Sequence, residues 1–268
     1  MILDRLYTPK GGELIYHYCS PVAFLEIMKT RTVWLSAYYS LNDSTERSWG
    51  YSIFAKAVKQ VEAEVGAVFV KQITAAVDVG FSDALLMISS YSLDPDVLSQ
   101  WRAYADDSRG FAIGFSAEQM EMPAKRLRVL YDENAQLNEL LGNMRHTYEY
   151  EKSIGFEYGV QFKSHWLNIG LDLSAYKNPA FSEEREIRCV HTSGLVLQDN
   201  SRKIVPMGAL IRTENGCPIL SRLTFELATV LLSRMSLWTI QIKGQIPPSR
   251  RLFSALETKM RNQTLTFF

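Results

Sequence analysis

The sequence has no excess of either charge, because 29 Lys and Arg residues balance 29 Asp and Glu residues. Nonspecific nucleic-acid binding generally needs a basic excess, so the overall charge argues against that class and leaves only a local patch open. The chain also lacks an apolar run of membrane-spanning length. The nearest approach, residues 223–238, is interrupted by Glu226 and Arg234, so we expect no membrane segment.

Cysteine and histidine are scarce and scattered. The odd number of cysteines leaves one unpaired, and they share no CxxC spacing: Cys19, Cys189 and Cys217. Structural zinc is therefore not expected, and the pattern indicates a reducing compartment. Because residues 1–5 show no signal-peptide pattern, we expect a cytoplasmic protein.

Repeats, low-complexity tracts and linkers are also absent, and the 268 residues are 47% hydrophobic. These features predict one α+β domain over residues 1–268, with a long helical insertion at about 134–173. The expected strands are 14–16, 31–36, 83–92, 111–115, 126–131, 182–190, 203–206, 219–224 and 238–242. The other expected helices are 21–30, 48–79 broken near Gly66, one that begins at Asp94 and runs through Tyr104, and 225–234.

The segment around His17 joins a short β-type run to a helix start. The apolar residues 14–16 predict a strand that ends at His17. Ser20 is a good N-cap, and Pro21 suits the first helical position, where a missing N–H does no harm. A side chain at a strand end is fixed by the strand and exposed by the turn, so His17 is a candidate functional residue. From the histidine alone, a half-buried structural side chain bonded to a carbonyl is the simpler interpretation.

A polar loop with two tyrosines, Tyr38 and Tyr39, follows the second expected strand. Asp43 and Glu46 then open a helix with the spacing of a capping box, in which the first residue accepts from the backbone and the Glu reaches back. Capping alone explains both acids. They remain candidates for a metal-dependent hydrolase or nuclease that would also use Glu184 and Glu186.

Alternation over residues 182–190 predicts a strand that places Glu184, Glu186 and Arg188 on one face. An ordinary solvated charge ladder has the same pattern. On the helix from Asp94, Trp101 and Tyr104 are three residues apart, a spacing more typical of core than of a ligand site. Arg102 between them points elsewhere, and its guanidinium suits a phosphate or a carboxylate.

Several pieces, in order along the chain, resemble the bacterial domain-of-unknown-function family 2971. The pieces are Tyr16–Ser20, Trp34–Ser36, Leu41–Glu46, Leu98–Gly110 and Phe181–Arg188. The resemblance runs from Glu13 to Arg250, with Cys19 where the family more often has Thr and without an expected Gly-Pro near residues 223–226. The family name specifies no reaction, and the resemblance implies a role in bacterial stress, toxin action or phage defence.

A second resemblance is to the ADP-ribosyltransferase pattern, on a strand His, a second strand followed by aromatic residues and a late Glu-x-Glu. It implies a split, mostly antiparallel sheet flanked by helices that grips NAD. Glu186 would be the catalytic carboxylate, Glu184 would orient the acceptor, and His17 would bind the ribose. No Gly-rich phosphate loop follows the second strand. The implied NAD-binding set is His17, Tyr18, Ser36, Tyr38, Tyr39, Asn42, Trp101, Arg102, Tyr104 and Arg188, with Tyr38 or Tyr39 stacking on nicotinamide.

These residue types suit the cleavage of the nicotinamide glycosidic bond. The bond breaks with oxocarbenium character, so an anion near the ribose stabilises the transition state. An aromatic face holds a flat heterocycle, and no metal is needed. We therefore expect an NAD-using enzyme that modifies a macromolecule, protein or nucleic acid, or hydrolyses NAD.

The alternative is a noncatalytic nucleotide-sensing or protein-binding module on the same fold. The sequence leaves open whether the helical insertion covers the site or pairs with another subunit in a homo-oligomer. It also leaves the acceptor of ADP-ribose unidentified.

Overall fold

A computed structural model describes residues 5–38, 44–120, 124–198, 201–206, 229–231, 240–242 and 265–267. The fold is α+β, and its main sheet is antiparallel and flanked by helices. The helices are α1 Pro21–Thr30, α2 Ser44–Val65, α3 Ala67–Asp78, α4 Leu98–Tyr104, α5 Glu133–Ser153 and α6 Val160–Asp172. Shorter helical segments are Val79–Asp83, Leu173–Ala175 and Pro179–Glu184.

The first strands are β1 Leu14–Cys19, β2 Thr32–Trp34, β3 Ser36–Ala37, β4 Ala84–Ser92, β5 Phe111–Ser116 and β6 Lys125–Arg128. The later ones are β7 Glu186–Gln198, β8 Ser201–Pro206, β9 Thr229–Leu231, β10 Ile240–Ile242 and β11 Leu265–Phe267. The main sheet has the strand order β5-β1-β4-β7-β6, with β3 also paired to β4 and β8 to β7. Each of these pairs is antiparallel.

Alternating residues of the sheet give it two differently covered faces. On one face, α1 contributes Phe24 to an apolar core with Ile15, Tyr91 and Ile187. On the other face, α6 covers β4, β7 and β6, and α4 packs its Trp101 against β1. The central strand β4 therefore lies where the α4 and α6 halves of this second face meet.

The long helical section is confirmed as helical, but it does not pack alone. Helices α5 and α6 share one apolar core with α2 and α3, including Trp166 and Ile73, both fully buried. Glycine permits a close approach of α6 to α3, since a Cβ on Gly170 would lie 2.5 Å from the carbonyl oxygen of Val77. Gly66, with φ of 82°, separates α2 from α3 at the predicted break.

The predicted N-terminus of helix α1 is confirmed. Ser20 caps α1 by accepting from the N–H of Ala23 at 3.2 Å, and Pro21 occupies the first helical position.

No helix in the described part of the chain is long and apolar enough to cross a bilayer.

Other predicted boundaries are wrong. His17 lies inside β1 rather than at its end, because pairing with β5 continues to Cys19. Helix α4 begins at Leu98 rather than near Asp94, whose side chain instead accepts from the N–H of Asp96 at 3.0 Å.

The acidic strand also begins later than predicted. Residues Pro179–Glu184 form a 3-10 turn, and Arg185 has a left-handed φ of 45°, so β7 starts at Glu186. Within the helix predicted at 225–234, residues Thr229–Leu231 form a strand instead, paired with β2. The strand predicted at 219–224 lies outside the described residues.

Candidate functional site

The candidate site lies at a gap in the main sheet. Within the described part of the chain, β1 pairs with β4 at Tyr16 and Ser92, and β3 pairs with the same edge of β4 at Ile88. Between these positions the described residues show no further strand pairing on this edge of β4, and the exposed Ser90 lies at this gap. An exposed residue in the central strand of a sheet marks an opening to solvent.

His17 bridges this gap with its ring. Its Nδ1 lies 3.0 Å from the carbonyl oxygen of Ser90, and its ring packs 5.5 Å from that of Tyr91. Because a carbonyl only accepts, Nδ1 carries the proton and Nε2 is left as an acceptor. Burial lowers the pKa of His17, against the opposing effect of the Ser90 hydrogen bond, so the ring is neutral at pH 7.

Glu186 lies at the centre of a group of four charged side chains that we call the Glu186 cluster: Lys177, Glu184, Glu186 and Arg188. Arg188 holds the Glu186 carboxylate in a two-point grip, with Nε to Oε1 at 2.7 Å and Nη2 to Oε2 at 2.9 Å. Burial raises the pKa of Glu186, but Arg188 and Lys177 outweigh this and hold the pKa at about 2. Glu186 is therefore ionised at neutral pH although only 4% of it is exposed.

Glu184 belongs to the turn rather than to the strand, yet its side chain reaches the same cluster. Its carboxylate forms a very short ion pair with Lys177, and its carbonyl accepts from the hydroxyl of Ser92 at 2.7 Å. Burial raises the pKa of Glu184, with Lys177 acting in the opposite direction. The cluster has two positive and two negative groups and is buried, so it is not the solvated ladder that the sequence alternative described.

The structure brings His17 and Glu186 to the same residue from different strands. The Ser90 carbonyl accepts from His17, and the Ser90 side chain is among the groups that lower the pKa of Glu186. Ser92 is paired with Glu186 on one side and with Tyr16 on the other, so these three side chains lie on the face that α4 and α6 cover. Side chains alternate along a strand, so His17, next to Tyr16, lies on the opposite face. The two candidate side chains therefore approach Ser90 from opposite faces of the sheet.

Two of the predicted aromatic residues, Tyr18 and Trp101, make contacts within the protein. The hydroxyl of Tyr18 donates to the carbonyl of Asp94 at 2.9 Å and accepts from the N–H of Val97 at 3.0 Å. Its ring packs edge-on against buried Trp101, whose Nε1 donates to Asp96 at 3.0 Å. These contacts fix the segment that leads into α4.

The remaining predicted binding residues are dispersed. Tyr38 is buried in the core beneath α6, whereas Ser36 is exposed on β3. Arg102 and Tyr104 lie on the exposed side of α4. Tyr39, Asn42 and Asp43 lie outside the described residues, and so does the side chain of Glu46.

Sequence reasoning missed three residues of the site. Lys177 lies outside every helix and strand predicted from the sequence, and Ser90 is one residue of the strand predicted at 83–92. The Tyr131 hydroxyl accepts from the N–H of Glu186 at 3.0 Å. No local sequence pattern predicts that these residues lie near Glu186, because each approaches it from a different part of the fold. Among the described residues, no group of three or more His, Cys, Asp or Glu side chains is placed to hold a metal ion.

Comparison with known proteins gives one match. Residues 100–189 match the family described as "Protein of unknown function (DUF2971)". No curated protein and no solved structure matches the chain. The matched third of the chain runs from α4 to β7 and contains the whole Glu186 cluster, whereas His17 lies before it. Over these residues, the chain is similar to the family that its sequence motifs resemble.

Proposed function

We propose that this protein is an NAD-using, ADP-ribosyltransferase-like enzyme that acts at the sheet gap. The observation that carries the proposal is the meeting of His17 and Glu186 at Ser90, an exposed residue of the central strand. A ribose lying at this gap would find a hydrogen-bond acceptor in His17 Nε2 and an ionised carboxylate in Glu186.

The proposed reaction breaks the bond between the ribose C1′ and the nicotinamide nitrogen. The bonding electron pair leaves with nicotinamide, and a nucleophile from a macromolecule or water then adds to C1′ and releases its proton to solvent. Positive charge develops on the ribose in between, so a carboxylate that stays ionised at neutral pH lowers the barrier. Glu184 would orient the acceptor, whose identity the proposal leaves unspecified.

A second candidate function is a noncatalytic nucleotide-sensing or protein-binding module, and two observations favour it. Both carboxylate oxygens of Glu186 are already bonded to Arg188, and the cluster is electrically balanced. His17 and Glu186 also approach from opposite faces. A neutralised carboxylate stabilises an oxocarbenium ion less well than an exposed one, so the enzyme needs Glu186 to turn from its partners when NAD binds.

Release of nicotinamide from labelled NAD, with and without a bacterial lysate as acceptor, tests the first function. We expect release by the wild type and by Glu183→Gln, because Glu183 is exposed on the turn beside the cluster. The Glu186→Gln variant should lose most of the nicotinamide release. Absence of both release and label transfer in the wild type would overturn the enzyme proposal.

Thermal unfolding with NAD separates the two functions. A ligand at a hundredfold its dissociation constant stabilises the folded state by about 2.7 kcal/mol. Stabilisation of wild type without turnover would establish the nucleotide-sensing function. If NAD neither stabilises the protein nor is turned over by it, NAD is excluded as the ligand in both proposals.

A further inference from the structure

Lys177 is the residue on which the two carboxylates of the cluster converge. Its Nζ forms a very short ion pair with Glu184 and lies 3.2 Å from Oε2 of Glu186. Glu184 belongs to the 3-10 turn and Glu186 to strand β7, so one ammonium group joins two elements. The same Nζ lies 5.1 Å from the ring centre of Phe181, which belongs to that turn as well.

The backbone of Lys177 is fixed independently of its charge. Its N–H donates to the carbonyl of Leu130 at 3.1 Å, and its own carbonyl accepts from Nε2 of Gln136 at 2.8 Å. Gln136 is fully buried on α5. With the main chain held at both polar groups, only the side-chain rotamers of Lys177 remain to be ordered when its ammonium takes one position.

Charge accounting explains why the position needs a cation. Two carboxylates buried next to each other cannot both stay ionised without compensation, and a single guanidinium balances only one of them. The charged and titratable groups around Glu186 are Lys177 after α6, Glu184 on the turn, Arg188 on β7 and Tyr131 after β6.

We infer that Lys177 is a positioning residue of the Glu186 site, which ties the turn Pro179–Glu184 to strand β7 and keeps two buried carboxylates ionised side by side. Its effect on turnover rests on the proposed function, whereas its effect on the carboxylates does not. Lys177 acts through Glu186 and is not assigned a contact with substrate.

The test is a titration of protein carrying ¹³C-labelled glutamate carboxyls, followed by NMR, on wild type and three variants. In Lys177→Met, one cluster carboxyl should titrate about 1–3 pH units higher than in wild type. Lys177→Arg keeps the charge and should titrate close to wild type. The double variant Lys177→Met with Glu184→Gln removes one charge of each sign, so Glu186 should again titrate at low pH.

Unchanged titration in Lys177→Met would overturn the inference. If that variant fails to fold, the double variant decides, because restored charge balance should restore folding and a low titration midpoint for Glu186. Failure of both variants while Lys177→Arg folds would overturn the inference, since charge balance would then not be what Lys177 supplies.

Nicotinamide release measured across pH on the same proteins is the second readout. In Lys177→Met the rising limb of the pH profile should move up by the shift seen in the titration. No release by wild type would overturn the enzyme proposal and leave the titration to decide the role of Lys177.

Discussion

The layer formed by α2, α3, α5 and α6 buries apolar side chains, whereas the neighbouring Glu186 cluster buries four charged ones. The helical layer is stabilised by buried apolar surface and close packing, through fully buried residues such as Trp166 and close contacts at Gly170. The cluster is stabilised by charge compensation, because each buried ion depends on a partner of opposite sign. A truncation in the layer leaves a cavity, whereas a truncation in the cluster leaves an uncompensated charge.

The largest effect should come from removing one cation from the cluster. Arg188→Met leaves two buried carboxylates with Lys177 alone, and we expect a loss of about 3–5 kcal/mol in the free energy of unfolding. Urea denaturation measures it. The double variant with Glu186→Gln leaves Lys177 and Glu184 paired, so it should be more stable than the single variant. A loss below about 1 kcal/mol for Arg188→Met would show that the cluster does not depend on balance.

Truncation of a buried apolar side chain tests the packing of the helical layer. Ile73→Ala removes a fully buried side chain from α3, and we expect a loss of about 2–5 kcal/mol from lost burial and the cavity. Val68→Ala on the same helix is the matched control, because Val68 is 67% exposed. Equal losses for the two variants would contradict the assigned packing of α3.

An added methyl group tests the closeness of helix packing. Gly170→Ala places a Cβ against the Val77 carbonyl and should cost about 1–3 kcal/mol. Gly142→Ala, on α5, meets nothing within 4 Å and should stabilise the protein by about 0.5–1 kcal/mol, since alanine is the better helix former. Opposite signs in thermal unfolding are the expected result, and equal signs would contradict the assigned contact.

Acid should weaken the cluster before it weakens the helical layer. The pKa of Glu186 falls from the ordinary value of 4.5 to about 2 in the folded protein. Its contribution is therefore complete above the unfolded pKa and is lost as pH falls from about 4.5 to about 2. The raised pKa of Glu184 acts with the opposite sign. Urea midpoints measured across this range should fall more steeply for wild type than for Glu186→Gln.

The smallest effect should come from the cap of α1. Ser20→Ala removes the acceptor for the N–H of Ala23 and should cost about 1 kcal/mol. Ser52→Ala, on the exposed side of α2, should stay within about 0.5 kcal/mol of wild type. Chemical denaturation of both variants checks the difference.

The two regions also differ in how far the sequence predicts them. The break at Gly66, the helical character of the long section and the Ser20 cap follow from local periodicity and capping chemistry. The cluster could not be assembled that way, because Lys177 and Glu186 come together only through the turn at Pro179–Glu184. Alternation correctly placed Glu186 and Arg188 on one strand and wrongly included Glu184, because the left-handed Arg185 interrupts the period.

The single pairing of β1 with β4 at Tyr16 and Ser92, within the described chain, has a mechanical consequence. Adjacent strands usually resist shear through many backbone rungs, but here one rung joins β1 to β4, and the His17 hydrogen bond and the shared apolar core supply the other contacts. Small rotations of one part against the other would concentrate there. A molecule wedged beside Ser90 would act as a brace, stiffening both parts at once.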